Sequence, residues 1–293
     1  MQLATFRYLG REQVGVVGGE QTRIIPLEQL LGRDAPKTMI ELIERWEDLG
    51  PRVRAMQCSW DTGLLLTDVE LVAPIPHPRR NIICLGKNYR DHVKEAAALG
   101  DQESGVPTAP IYFSKMVDRV RGSTEAIPAH ADVTKMLDYE AELAVIIGKE
   151  GHDIDPARVP DSIFGYSVLN DVTARDLQKK HEQWFKGKSL DGGCAMGPVI
   201  VTADEIAYPP VLDIACTVNG EVRQNASTSQ LIFDITEIIS DFSKGLTLMP
   251  GDIISTGTPA GVGMGFRPFK WLKAGDVVEC SIGRIGTLVN QIE

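Results

Sequence analysis

The sequence of 293 residues predicts an α+β protein in which β-strands predominate. Short runs rich in β-branched residues recur along the second half of the chain, as is typical of strands. Because these runs do not alternate strictly with helices, a doubly wound parallel sheet is not favoured. The strand-like runs cover residues 143–147, 164–169, 198–202, 211–218, 252–256 and 277–282.

Residues 1–72 predict a small N-terminal α/β domain, followed by a main domain over residues 73–293. Apolar residues alternate on both sides of a glycine-containing turn and predict a hairpin over residues 6–17. Apolar residues at helical spacing predict a helix over residues 38–49. The stiff, proline-rich stretch 69–78 is interpreted as the connection between the two domains.

The main domain is predicted to open with a strand over residues 81–86. A turn and a helix follow over residues 87–99, and the small, polar residues 100–110 have the composition of a loop. Apolar periodicity then predicts two further helices, over residues 172–183 and 231–244.

Composition limits the classes of function. The net charge is −10, and the chain is therefore a poor candidate for binding nucleic acid or an anionic membrane. No apolar run approaches the roughly 20 residues of a membrane-spanning helix. The five cysteines are widely spaced and form no C-x-x-C motif, which argues against disulfides and a zinc site. Without a signal-peptide pattern at the N-terminus, we expect a cytoplasmic protein.

Three carboxylates predict a metal site. Glu140 and Glu142 stand two residues apart at the head of an apolar run, so they share one face of a predicted strand. Asp171 ends another strand-like run, and an all-oxygen set of this kind suits Mg²⁺, Mn²⁺ or Ca²⁺. The alternative is a solvated strand end, with Asp171 or Asn170 capping a helix.

Two further groups have the chemistry of an active site. His92 and Glu95 are three residues apart at the start of a predicted helix, where a carboxylate can orient an imidazole as a general base. The alternative is a surface pair. Lys188 follows two aromatic residues and could hold an acidic substrate, or it could be solvated. It does not belong to a P-loop, because Glu182 stands where that motif requires glycine.

The glycine-rich segment 255–265 follows a predicted strand. Its glycines do not fit the dinucleotide-binding pattern, and proline rather than a helix follows. We interpret it as a tight loop that offers backbone N–H groups and the Thr258 hydroxyl to an anionic oxygen.

Together these motifs resemble the fumarylacetoacetate hydrolase (FAH) family, in family order, over about residues 80–293. The resemblance implies a rolled, mixed β-sheet, a homodimer, and bound Mg²⁺ or Mn²⁺, with Ca²⁺ as a substitute in crystals. The matching motifs are ICLGKNYRDH (83–92), DYEAEL (138–143), NDVTARDLQ (170–178), GKS (187–189) and STGTPAGVG (255–263).

The resemblance also implies roles for single residues. These roles are metal ligation by Glu140, Glu142 and Asp171, water activation by His92 with Glu95, substrate contact by Lys188, Gln178, Thr258 and Arg90, and a lid formed by residues 93–106.

The implied activity is metal-dependent hydrolysis of a carbon–carbon bond in small 2-oxo or 1,3-dioxo acids of the acylpyruvate or fumarylpyruvate type, through an enolate. Oxaloacetate decarboxylation and isomerisation or hydration of dienoic diacids use the same chemistry and stay open, as does a non-catalytic binding role. The N-terminal unit resembles that of longer bacterial members. Asp118, Arg119 and Arg121 depart from the family pattern and leave the exact 2-oxo acid substrate open.

Overall fold

A computed structural model describes residues 1–18, 20–55, 60–98 and 105–293. The strands, numbered β1 to β19 in chain order, are Gln2–Tyr8, Arg11–Gly18, Arg23–Pro26, Leu64–Leu65, Glu70–Leu71, Ile82–Gly86, Ile111–Lys115, Leu137–Asp138, Ala141–Ile147, Gly151–His152, Ile163–Asp171, Thr173–Ala174, Cys194–Thr202, Asp213–Val218, Glu221–Ser227, Thr247–Leu248, Ile253–Ser255, Val277–Ile282 and Gly286–Gln291. The helices, α1 to α8, are Leu27–Leu31, Met39–Glu44, Trp46–Ala55, Arg90–Ala98, Val159–Ser162, Arg175–Lys180, Phe185–Lys188 and Ile235–Phe242.

The described residues form one large mixed sheet of eleven strands and a second sheet of four. The large sheet has the order β4-β3-β2-β1-β13-β11-β9-β17-β6-β7, with β5 also paired to β1. β17 and β6 run parallel, and the other neighbours are antiparallel. The second sheet has the order β15-β14-β18-β19. These sheets confirm the predicted strand-rich α+β fold.

The central strand β9 is buried on both faces, which explains its apolar run over residues 143–147, after Glu142. Leu143 and Val145 belong to a core that also contains residues of the four-stranded sheet. Ala144 and Ile146 point to the opposite face and join a core with residues of the N-terminal helices. The candidate site therefore lies at the end of a strand that packing holds on both sides.

The N-terminal strands continue the large sheet instead of forming a sheet of their own. β1 pairs with β13 of the main domain, at Gln2 opposite Val201. Phe6 is buried in the same core as residues of the main domain. The boundary between residues 72 and 73 stays a prediction, and hydrogen bonds and packing run across it.

Three predicted helices are shorter or divided in the structure. The helix predicted over residues 38–49 is interrupted at Arg45, between α2 and α3. The helix predicted from residue 172 begins at Arg175, because Thr173 and Ala174 pair with β8 as the short strand β12. The helix predicted over 231–244 is confined to α8, which Asp234 caps by accepting a hydrogen bond from the Glu237 amide.

The described residues include no helix that is both long enough and apolar enough to cross a membrane. Cys84, Cys194, Cys216 and Cys280 carry free thiols. The fifth cysteine, Cys58, lies outside the described residues.

We predict that Phe6→Ala destabilises the whole chain and not the N-terminal segment alone. Phe6 is fully buried, and removing a buried phenylalanine costs about 3–5 kcal/mol of unfolding free energy. Chemical denaturation followed by circular dichroism should show one transition shifted to lower denaturant. Leu9→Ala is the control in the same hairpin, because Leu9 is 85% exposed. Two separate transitions would contradict this prediction and support independent domains.

Candidate active site

Two neighbouring strands bring the three predicted metal ligands together. The Asp171 amide, at the end of β11, donates a hydrogen bond of 2.9 Å to the carbonyl oxygen of Glu140, just before β9. One ligand atom from each of Glu140, Glu142 and Asp171 lies within 4.8 Å of the others, and all three residues are buried. The alternative of a solvated strand end is wrong, and Asp171 belongs to a strand rather than to a helix cap.

Three cations surround two of these carboxylates. Lys188 Nζ lies 2.6 Å from Glu140 Oε2 and 2.7 Å from Asp171 Oδ2. Lys115 Nζ lies 2.8 Å from Asp171 Oδ1, and Arg175 Nη2 lies 2.7 Å from Glu140 Oε1. Burial opposes ionisation of Glu140, but the charges of Lys188 and Arg175 lower its pKa to about 2. Lys188 is thus buried and paired, and the alternative of a solvated lysine is wrong.

Glu142 has a different environment. It accepts hydrogen bonds from the Ser255 hydroxyl at 2.5 Å and the Gly257 amide at 2.8 Å. Burial, followed by the negative charges of Asp171 and Glu140, raises the pKa of Glu142 well above its ordinary value. Ionisation of all three carboxylates would therefore be opposed by burial and by their like charges, and a divalent cation would offset both. The donor set and its charge fit a hard cation such as Mg²⁺ or Mn²⁺.

Close packing of two short helices positions Lys188. A Cβ atom on Gly187 would lie 2.5 Å from the backbone nitrogen of Gln178 and 2.7 Å from the carbonyl oxygen of Ala174. Only glycine allows α7 to approach α6 this closely. In the Gly-Lys pair of the sequence, Gly187 therefore allows the two helices to pack, and Lys188 supplies positive charge to the carboxylates.

The structure brings His92 and Glu95 together on α4. His92 Nδ1 lies 3.0 Å from Glu95 Oε2, and the Gly261 amide donates to Glu95 Oε1 at 2.9 Å. When Glu95 is ionised it can only accept, so Nδ1 carries the proton and Nε2 is left as the basic nitrogen. The alternative of a surface pair is wrong, because both side chains are largely buried.

Asn88 anchors the turn that leads into α4. Its Nδ2 donates to the carbonyl oxygens of Thr256, at 2.8 Å, and Phe233, at 3.1 Å. Its Oδ1 accepts from the Phe233 amide at 2.9 Å. This buried side chain ties the helix that carries His92 to the loop that carries Thr258.

A cavity of about 400 Å³ is lined by Glu140, Glu142 and the His92 side chain. Gln178 and Thr258 line it as predicted contacts, whereas Arg90 is exposed and does not line it. The substrate role of Arg90 thus gains no support from its position. The lining residues are Leu85, Gly86, Lys87, His92, Ala96, Phe113, Glu140, Glu142, Arg175, Gln178, Lys179, Glu182, Trp184, Lys188, Thr258 and Met264.

The charged residues that depart from the family pattern lie outside this cavity lining. Arg119 pairs with Glu125 at 2.5 Å, and Arg121 pairs with Asp118 at 3.3 Å. Asp118 also accepts a hydrogen bond from the Gly192 amide at 3.0 Å. These side chains contact neighbouring loop residues, and the exact 2-oxo acid substrate stays open.

The predicted lid, residues 93–106, is only partly described. Residues 93–98 belong to α4, and residues 99–104 lie outside the described residues. The closing of this segment over a ligand stays a prediction.

Sequence reasoning missed Lys115 and Arg175 as parts of the site. Lys115 ends the apolar strand β7 and is fully buried, so a lysine within an apolar run was the available signal. Arg175 follows Asp171 by four residues within a motif that was singled out for other residues. The partners of both side chains are set by folding and not by spacing.

The sequence and the fold are similar to those of known proteins. The family model for the C-terminal part of fumarylacetoacetate (FAA) hydrolase matches residues 81–293. The oxaloacetate tautomerase YisK of Bacillus subtilis is 52% identical over 227 residues, which cover 78% of this chain and 74% of that protein.

Solved structures agree over the whole chain. A fumarylacetoacetate hydrolase from Exiguobacterium antarcticum superposes with a TM-score of 0.84 and 41% identity, covering 100% of this chain and 99% of that one. The maleylpyruvate hydrolase of Sphingobium sp. SYK-6, solved in complex with manganese(II) and pyruvate, gives a TM-score of 0.77 and 31% identity. It covers 100% of this chain and 98% of that one.

We predict that Gly265→Ala disables the His92–Glu95 pair while the fold is retained. The added Cβ would lie 1.8 Å from Glu95 Oε1, and the flexible end of that side chain must move away from His92. The expected result is a fall of roughly tenfold or more in kcat for a 2-oxo acid substrate. Gly283→Ala is the matched control, because its added Cβ would come no closer than 3.8 Å to the Asp213 backbone and Gly283 does not line the cavity. An unchanged kcat with an unchanged Tm would show that the dyad is not required.

Proposed function

The chain belongs to the fumarylacetoacetate hydrolase family, and we propose that it interconverts the keto and enol forms of a small 2-oxo diacid such as oxaloacetate, with a divalent cation. The observation that carries the proposal is a buried carboxylate cluster, two members of which, Glu140 and Glu142, line the same cavity as His92. The 52% identity to an oxaloacetate tautomerase supports this reaction above the others. Carbon–carbon bond hydrolysis, the first expectation from the sequence, becomes the second candidate.

Glu140, Glu142 and Asp171 are the residues proposed to hold Mg²⁺ or Mn²⁺. A cation bound there would withdraw electron density from a 2-oxo acid and acidify the C–H bond beside its oxo group. The manganese and pyruvate in the Sphingobium maleylpyruvate hydrolase support both the metal and the ligand class for this chain.

The other lining residues are proposed to bind the diacid and move its proton. Arg175 and Lys188 carry N–H groups into the cavity lining, and such groups match carboxylate oxygens. His92 Nε2 takes a proton from the carbon beside the oxo group, and Glu95 stabilises the imidazolium. Solvent protonates the oxo oxygen, which completes the enol, and the imidazolium gives its proton to solvent, so that His92 is again a base. The reverse reaction returns a proton to carbon, and no attacking water is needed.

Hydrolysis of an acylpyruvate is the second candidate, because the same dyad can deprotonate water. The supporting observation is the His92–Glu95–Gly261 chain of hydrogen bonds, which leaves a base directed at the cavity. Similarity to a maleylpyruvate hydrolase also supports it. Oxaloacetate decarboxylation, isomerisation or hydration of dienoic diacids, a homodimer and a cytoplasmic location stay predictions.

We predict that tautomerisation of oxaloacetate requires the carboxylate cluster and its cation. The loss of enol absorbance should accelerate when the protein and Mg²⁺ or Mn²⁺ are both present, and EDTA should abolish the acceleration. Glu142→Gln should reduce kcat/KM by at least about a hundredfold, since it removes one charged ligand. Glu47→Gln, at an exposed carboxylate, should keep the wild-type rate. Full activity in EDTA would contradict the metal role.

We predict that His92→Ala lowers kcat by roughly 10²–10⁴-fold, because it removes the base and leaves the carboxylates in place. Calorimetric titration with oxalate and Mg²⁺ should give an unchanged affinity. His152→Ala is the control, since His152 is exposed at a strand remote from the cavity lining. The same variants, assayed on an acylpyruvate with pyruvate detection, decide whether hydrolysis is also catalysed. A His92→Ala enzyme at wild-type rate on both substrates would remove His92 from the reaction.

A further inference from the structure

Gln224 is a fully buried side chain of β15 that the proposed reaction does not use. Its Oε1 accepts a hydrogen bond from the Ala141 amide at 3.0 Å. Its Nε2 donates to the carbonyl oxygen of Pro259 at 2.8 Å and to Thr258 Oγ1 at 2.8 Å. The orientation of the amide is fixed at both ends, because an N–H group must face an acceptor and a carbonyl must face a donor.

This orientation determines what the Thr258 hydroxyl can do. Gln224 Nε2 has no lone pair to offer, so Thr258 Oγ1 accepts that hydrogen bond. The single hydroxyl proton is then donated to the carbonyl oxygen of Ala141, at 3.0 Å. A hydroxyl has one proton and two lone pairs, and only one lone pair is left. Thr258 lines the cavity, so a ligand that reaches this hydroxyl would meet it as an acceptor.

This result differs from the sequence prediction, in which the Thr258 hydroxyl donates to an anionic oxygen. Donation would require breaking the bond to Ala141, whose carbonyl would then be buried without this partner. Leaving a buried acceptor unpaired costs about 1–3 kcal/mol. Ala141 stands between the candidate metal ligands Glu140 and Glu142. Gln224 binds the Ala141 N–H group and Thr258 binds the Ala141 carbonyl, so together they also fix the backbone between these ligands.

We propose that Gln224 is a positioning residue that fixes the Thr258 hydroxyl as an acceptor and that the site thereby favours ligands carrying a hydroxyl. This inference rests on the proposed function, because it names the enol as the form that Thr258 recognises. All oxygens of an ionised 2-oxo acid in its keto form are acceptors. The enol differs by one O–H donor, which the remaining lone pair of Thr258 can accept.

Two other polar groups of the cavity lining differ from Thr258 in that they offer donors to the ligand. Arg175 and Lys188 provide N–H donors, which match carboxylate oxygens and do not distinguish keto from enol. Gln178 Oε1 already accepts from Arg175 Nη1 at 3.2 Å. Thr258 is thus a neutral acceptor in a lining where the amide oxygen of Gln178 already has a charged donor.

The test compares pyruvate and lactate, which share charge and carbon skeleton but differ in an oxo and a hydroxyl group. Calorimetry with saturating Mg²⁺ measures the Kd of both ligands, with both enantiomers of lactate, for wild type and Thr258→Val. We expect Thr258→Val to weaken binding of at least one lactate enantiomer roughly three- to tenfold, since one hydrogen bond is lost. Pyruvate affinity should change less than about twofold.

Three further variants separate this role from a structural one. Thr258→Ser keeps the hydroxyl and should restore the wild-type ratio of the two affinities. Gln224→Leu frees the Thr258 hydroxyl to rotate. It should weaken the binding of lactate relative to that of pyruvate, without abolishing pyruvate binding. Thr256→Val is the matched control, because its buried hydroxyl donates to the Leu143 carbonyl at 3.0 Å and does not line the cavity. Thermal unfolding of each variant shows whether it is folded.

The proposal is overturned if Thr258→Val weakens both ligands equally or weakens pyruvate more, since the hydroxyl then donates or acts only through the fold. In oxaloacetate assays the enol KM should rise in Thr258→Val while kcat changes little. Wild-type protein without tautomerase activity would refute the proposed function alone, because the ratio of lactate to pyruvate affinities tests the acceptor independently.

Discussion

The mutual repulsion of three buried carboxylates is the constraint on which the rest of this structure depends. Glu140, Glu142 and Asp171 are almost without solvent, so their charges must be balanced by the protein or by a bound cation. Lys188 and Lys115 supply positive charge at short distance. The hydrogen-bond donors to Glu142 are the neutral Ser255 hydroxyl and Gly257 amide. The charge of the cluster is therefore balanced incompletely at Glu142, and a divalent cation would supply the missing positive charge.

The architecture makes this arrangement possible by burying the central sheet on both faces. β9 carries apolar side chains to two separate cores, and its polar residues are confined to its beginning. There the end of β11 and the glycine loop after β17 meet it. The absence of a side chain at Gly187 and Gly265 allows close packing beside Lys188 and Glu95. A larger residue at Gly187 would push α7 away from α6, and one at Gly265 would displace the Glu95 carboxylate. Packing and chemistry therefore constrain the same few positions.

The features that sequence predicted best are those with a local period. Alternation placed Glu140 and Glu142 on one face, and a spacing of three placed His92 beside Glu95, as the structure has them. Predictions that depended on which segments of the chain become neighbours in the fold were less successful. Arg90 lies in the right motif but is exposed and does not line the cavity, and the helix predicted from residue 172 gives way to the strand pairing of Thr173 with Asp138. Periodicity does not report which segment will compete for a backbone hydrogen bond.

The sequence by itself determined the strand-rich fold class, the carboxylate cluster and the His92–Glu95 pair, because alternation, helical spacing and ordered motifs are properties of short segments. Only the tertiary structure decided that Lys115 and Arg175 pair with Asp171 and Glu140, that Gly261 holds Glu95, and that Gln224 directs the Thr258 proton to Ala141. The physical reason is that burial and the choice of hydrogen-bond partner depend on residues far apart in the chain, which come into contact only when the sheets close around the site.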